Sequence, residues 1–151
     1  ALETGQIDAA VIYLANEPVQ LRARGYDVDL LRVVDQVELV GNGLVTNEKT
    51  IKEETELVRA MVRAVQKGID WAAAHPDETY QICGNYIENL KSADAAIQKE
   101  VLAESIKLWR LSTDPRSSDE RWQNMQNLLL ELGLIAQATD LQGAHTDAFL
   151  P

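Results

Sequence analysis

The chain reads as α/β, a short parallel βαβ unit followed by a helix-rich segment. Residues 7–14 form a nearly continuous apolar run after a glycine, the pattern of a strand buried on both faces. Helix-start signals follow at once, and a second apolar run completes a strand–helix–strand unit of about thirty residues. Past Asn47 the apolar residues recur at spacings of three and four, the helical period.

Taken in order, Ala1-Leu2-Glu3-Thr4-Gly5 resembles the last turn of a helix closing on glycine. Residues are therefore expected before Ala1, and the chain is expected to be the C-terminal piece of a longer protein. The first strand is Ile7 to Leu14. Asn16-Glu17-Pro18 then supplies a capping residue, an acidic first turn and an early proline. They predict a brief helix from Glu17 to Arg24, ended by Gly25. Val28 to Val34 is the second strand, joined to the first by a right-handed crossover. A third extended stretch, Val37 to Thr46, contains Gly41 and Gly43, which suggest a bend or bulge where the chain passes between two lobes.

Helices follow. Leu57, Met61, Val65, Ile69 and Ala72 predict one over Thr55–Ala74, with a boundary near His75 because Pro76 disfavours helix at the residue before it. A helix over Asp77–Leu90 has a weak spot at Gly84. Another, over Ala93–Arg110, places Ile97, Val101, Leu102, Ile106 and Trp109 on one side. Ser117 with Glu120 forms a capping-box pattern before a stripe of Trp122, Met125, Leu128, Leu129 and Leu132, closed by Gly133. The polar tail from Ala136 is expected to wrap a surface.

Composition excludes several function classes. Twenty-four acidic residues against 14 basic ones give a formal charge of −10 over 151 residues, with no clustered Lys and Arg, so no nucleic-acid partner is expected. An anionic membrane surface would repel the chain for the same reason. Hydrophobic residues make up 46%, enough for a real core, so disorder is not expected. The single Cys83 excludes an internal disulfide and a multi-cysteine zinc site, and is expected to be a buried thiol. His75 and His145 show no HExxH pattern. No apolar run approaches the roughly 20 residues of a membrane span. No metal or cofactor is expected.

In open parallel sheets, ligands bind beyond the carboxyl ends of the strands, at helix starts. That rule points to the corner where the first strand ends. Tyr13 offers a ring face and a hydroxyl, Asn16 a donor and an acceptor, and Glu17 a carboxylate. A flat, amine-bearing heterocycle suits this set, because stacking and a hydrogen bond to an ionised carboxylate contribute roughly 0.5–1.5 and 1.5–3 kcal/mol. Each residue also has a plainer role: Asn16 a helix cap, Glu17 a complement to the helix dipole, Tyr13 a core residue. Asn42 is a further candidate ligand contact, set against simple turn geometry between its glycines. Trp71, Trp109 and Trp122 lie on helical stripes and are expected in the core.

Leu2-Glu3-Thr4-Gly5-Gln6-Ile7-Asp8-Ala9-Ala10, Tyr13-Leu14-Ala15-Asn16-Glu17-Pro18 and Leu21-Arg22-Ala23-Arg24-Gly25-Tyr26 resemble the NMT1/THI5-like (SsuA/THI5-like) family of ABC-transporter solute-binding proteins. Leu44-Val45-Thr46-Asn47, Leu57-Val58-Arg59-Ala60, Lys67-Gly68, His75-Pro76 with Glu78, Arg121-Trp122 and Thr146-Asp147-Ala148-Phe149-Leu150 extend the likeness over nearly the whole chain. It covers only the second half of a complete family member. The resemblance implies a two-lobed, type II periplasmic-binding-protein fold with solute held in the cleft. Residues 1–37 would end the second lobe, 38–47 would cross between lobes, and 48–151 would complete the first.

The resemblance further implies a small-molecule solute, a permease of an ABC transporter as partner, and a periplasmic or lipid-anchored extracytoplasmic location. The Tyr-x-x-Asn-Glu arrangement resembles the thiamine-pyrimidine binders, which puts Tyr13 and Glu17, and with them Asn16, against an aminopyrimidine. A sulfonate, taurine or nitrate binder is the alternative, although a carboxylate at Glu17 would repel a sulfonate or nitrate anion. An effector-sensing module and a pyrimidine-forming enzyme are the more distant readings; the enzymes of the family carry a cysteine-rich run that is absent here. The chain is expected not to be an enzyme. Without its N-terminal half it is expected to expose an apolar flank or to cover it by self-association.

Overall fold

The apolar runs at 7–14, 28–34 and 37–46 do not become strands. In the computed structural model, which describes residues 1–111 and 116–151, no β-strand forms among the described residues. This corrects the expected α/β class and its parallel βαβ unit: the regular elements are helices. The physical reason is that a helix satisfies its own N–H and C=O groups, whereas a strand exists only beside a ladder partner. The strand-like runs find none here, and their side chains show it: Val11, Leu31 and Val45 are 101%, 96% and 95% exposed. Part of the second run turns into a short 3-10 segment at Val33–Asp35, where the Gln36 N–H donates to the Val33 carbonyl at 2.9 Å.

The described helices are α1 (Glu17–Ala23), α2 (Glu48–Glu53), α3 (Thr55–Ala74), α4 (Pro76–Cys83), α5 (Ala95–Trp109) and α6 (Asp119–Glu131). They are distributed over two compact units. The first holds Ala1–Leu30 and the chain from Lys67 through α5; the second holds Leu31–Gln66 and the chain from Arg116 onward.

In the first unit α5 packs against α1 and α4. The buried apolar side chains come from Ala15, Pro18 and Val19 at α1, Ala72 of α3, Leu90, and Ile106 of α5. Gly25 ends α1 as its sequence suggests: at φ 86° it lets the Gly25 N–H reach the Arg22 carbonyl and the Tyr26 N–H reach the Leu21 carbonyl. The Asp94 carboxylate caps α5, accepting from Ala96 N–H at 2.9 Å and Ile97 N–H at 3.2 Å. Helix α4 stops at Cys83, at the weak spot expected near Gly84, short of the predicted Leu90. Lys99 of α5 donates to Asp77 of α4 at 2.7 Å and lies over the Tyr80 ring. That bond and the aspartate charge raise the Lys99 ammonium above its ordinary value of 10.5.

In the second unit α6 is the hub. Its cap is Ser118, not Ser117, so the expected capping box with Glu120 does not form. Ser117 Oγ instead accepts from the Trp122 indole N–H at 2.7 Å. Arg121 and Asn124 hold Glu38 by its carboxylate and its carbonyl, at 2.9 and 3.1 Å. The polar tail runs along this helix. Buried Gln126 accepts both the backbone N–H and the hydroxyl of Thr139, His145 stacks on Trp122, and Asp147 accepts from the Ser117 N–H. Arg59 of α3 meets the tail's end at the Ala148 carbonyl and the Phe149 ring.

Trp71 and Trp109, expected in the core, are 47% and 43% exposed, while Trp122 is half-buried. Cys83 is a free, half-buried thiol. No helix among the described residues is long and apolar enough to cross a membrane.

Candidate functional site

Tyr13, Asn16 and Glu17 meet at the entry to α1, and their local order comes from side chains as much as from the helix. Pro18 has no N–H to satisfy and its fixed φ suits a helix start, so the turn is pinned directly after Glu17. Pro18 and Val19 are buried, which fixes that face of α1 and leaves Asn16, Glu17 and Gln20 half-buried beside it.

Asn16 occupies the cap position but makes no side-chain cap bond. Its amide is used sideways instead. Gln20 Nε2 donates to Asn16 Oδ1 at 2.8 Å, and Asn16 Nδ2 donates to Glu17 Oε1 at 3.3 Å. Glu17 Oε2 accepts the Tyr13 backbone N–H at 3.0 Å, which folds the preceding loop back onto the carboxylate. The plain capping role weighed for Asn16 is therefore not the one its side chain plays. Nor is Tyr13 a core residue: at 67% exposure its ring has an open face.

The arrangement offers an exposed tyrosine whose backbone N–H is tied to a carboxylate, each of whose two oxygens holds one donor. An ionised carboxylate has roughly four acceptor positions, so two remain for N–H groups of another molecule. Asn42 lies in the second unit, in exposed coil, and neither flanking glycine adopts a positive φ, so no glycine-dependent turn holds it. The residue sequence reasoning missed is Gln20. Its signal was present, since positions i and i+4 face each other on a helix and Gln–Asn pairs bond there. Among the described residues no group of three or more His, Cys, Asp or Glu side chains is placed to hold a metal ion.

The family model described as NMT1/THI5 like matches residues 1–79 of the 151, and that span contains the whole Tyr13–Gln20 corner. The chain belongs to the NMT1/THI5-like family. It is 31% identical over its full length to the riboflavin-binding protein RibY of Chloroflexus aurantiacus, covering 44% of that protein. It is 30% identical over 72% of its length to the formylaminopyrimidine-binding protein of Halalkalibacterium halodurans, covering 33% of it. Both of these relatives are named as binding proteins, not enzymes. The chain spans less than half the length of either. No solved structure matches the chain significantly.

Proposed function

We propose that this NMT1/THI5-like chain belongs to the solute-binding component of an ABC importer and that its solute carries a pyrimidine ring, free or fused. The observation that carries the reading is the corner itself: an exposed Tyr13 whose backbone N–H is held by a Glu17 carboxylate with acceptor capacity to spare. A planar nitrogen heterocycle stacks on the first and donates N–H to the second. The names of the two relatives support this chemistry, because riboflavin and formylaminopyrimidine both contain a pyrimidine ring that bears an N–H donor. An anionic sulfonate or nitrate fits poorly, since it would face the Glu17 charge. The lobe assignment over 1–37, 38–47 and 48–151, the permease partner, the extracytoplasmic location and a companion segment that completes the solute cleft belong to the same proposal.

Calorimetric titration of the chain together with that companion segment, using riboflavin, formylaminopyrimidine and an alkanesulfonate, tests it. Binding of either pyrimidine compound, weakened by at least ~1.5 kcal/mol in Glu17→Gln, is expected from loss of a charge-assisted bond. Heat with the alkanesulfonate alone, or affinity unchanged in Glu17→Gln, would reject the pyrimidine reading.

A further inference from the structure

We infer that Gln20 is a positioning residue for this corner, one that sets which side of the Asn16 amide meets Glu17. The inference rests on the proposed reading of the corner as a solute site. A primary amide presents an acceptor on one side and donors on the other. Gln20 Nε2 occupies the acceptor, Asn16 Oδ1, at 2.8 Å. The Asn16 NH2 group is thereby turned toward Glu17 Oε1, where it donates at 3.3 Å. With the Tyr13 N–H on Oε2, the carboxylate is held at both oxygens and its plane is fixed. Gln20 is carried on α1, which packs on α5, so the relay starts from a helix and not from the loop it organises. If the Gln20 donor is replaced by an acceptor, the Asn16 amide turns over. Oδ1 then opposes Glu17 Oε1, two acceptors face each other, and the carboxylate leaves the position in which it can take a ligand N–H.

Two substitutions of similar length separate this role from simple packing. Gln20→Glu replaces the donor by an acceptor, whereas Gln20→Lys keeps a donor. The probes are riboflavin and formylaminopyrimidine by calorimetry, together with exchange of the Tyr13 amide proton followed by NMR. Gln20→Glu is expected to weaken the binding of whichever probe the wild type takes by roughly 5–10-fold, the worth of about one hydrogen bond, and to speed Tyr13 amide exchange by a similar factor. Gln20→Lys should keep both within about twofold, because its donor is retained. Equal losses in the two variants would assign Gln20 a packing role and overturn the inference. So would an unchanged Gln20→Glu variant alongside a weakened Glu17→Gln, a result that leaves the solute site standing. If Glu17→Gln binds as the wild type does, or the wild type takes neither probe, the site reading fails and the inference falls with it.

Discussion

Gln126 is the buried residue of α6, 7% exposed. Its Oε1 accepts the Thr139 N–H at 2.7 Å and the Thr139 hydroxyl at 2.9 Å, which ties the C-terminal tail to the middle of the helix. Replacing Gln126 by Leu removes both bonds while keeping similar bulk. Two neutral hydrogen bonds contribute about 1–3 kcal/mol net. Thr139 is exposed, so its freed donors turn to water and leave no buried group unpaired. The expected cost is therefore in the lower half of that range, about 1–2 kcal/mol. For a chain of this size that lowers the melting temperature by roughly 2–8 °C. Thr139→Val removes only the hydroxyl donor and should cost about 0.5–1.5 kcal/mol. The double variant should be no less stable than Gln126→Leu, because the hydroxyl has nothing to lose once its acceptor is gone. Urea or thermal unfolding followed by circular dichroism, with amide exchange of the tail, measures all three. Additive costs, or a Gln126→Leu variant as stable as the wild type, would refute the claim that this pair anchors the tail.

Other outcomes follow from single contacts. Asp94→Ala should lose about 1 kcal/mol of stability, since it frees two N–H groups at the start of α5; chemical denaturation reads this directly. Gly133→Ala should cost about 1–2 kcal/mol in the same assay, because φ is +67° there and the strain comes from the backbone, with open space around the added methyl. The Lys99 ammonium is raised by Asp77, so the stabilisation it brings is complete below its ordinary value of 10.5 and is lost as pH rises through the raised one. Melting curves from pH 8 to 12 should therefore fall more steeply at the alkaline end for the wild type than for Asp77→Asn, with the two converging at the top of the range.

The helices were legible because their signals are local. The stripe from Leu57 to Ala72 gives α3 its bounds, and Gly25 and Gly133 stop α1 and α6 where left-handed backbone is needed. The extended runs were not legible in the same way. Val11, Leu31 and Val45 have the side chains of strands, but a strand is a relation between segments, and the apolar pattern of one segment does not supply its neighbour. The same limit applies to Trp71 and Trp109: a stripe shows that residues share a face, not what covers it. Helix α2 was missed although Asn47 marks its start by accepting the Thr50 N–H, since a helix of 6 residues is too short for periodicity to reveal. At the candidate site, sequence spacing brought Tyr13, Asn16 and Glu17 together. It could not show that the Asn16 amide serves Glu17 and Gln20 and leaves the helix end uncapped, because one residue type can make either set of bonds.

The measurement that bears most directly on the proposed function is a competition between ring chemistry and anion chemistry at one carboxylate. Riboflavin, formylaminopyrimidine and an alkanesulfonate are titrated calorimetrically into the wild type and into Glu17→Gln. Saturable heat is expected with a pyrimidine compound, weakening about tenfold or more in the variant, and none with the alkanesulfonate. Binding of the alkanesulfonate that strengthens when the Glu17 charge is removed, with no heat from either pyrimidine compound, would contradict the proposed function.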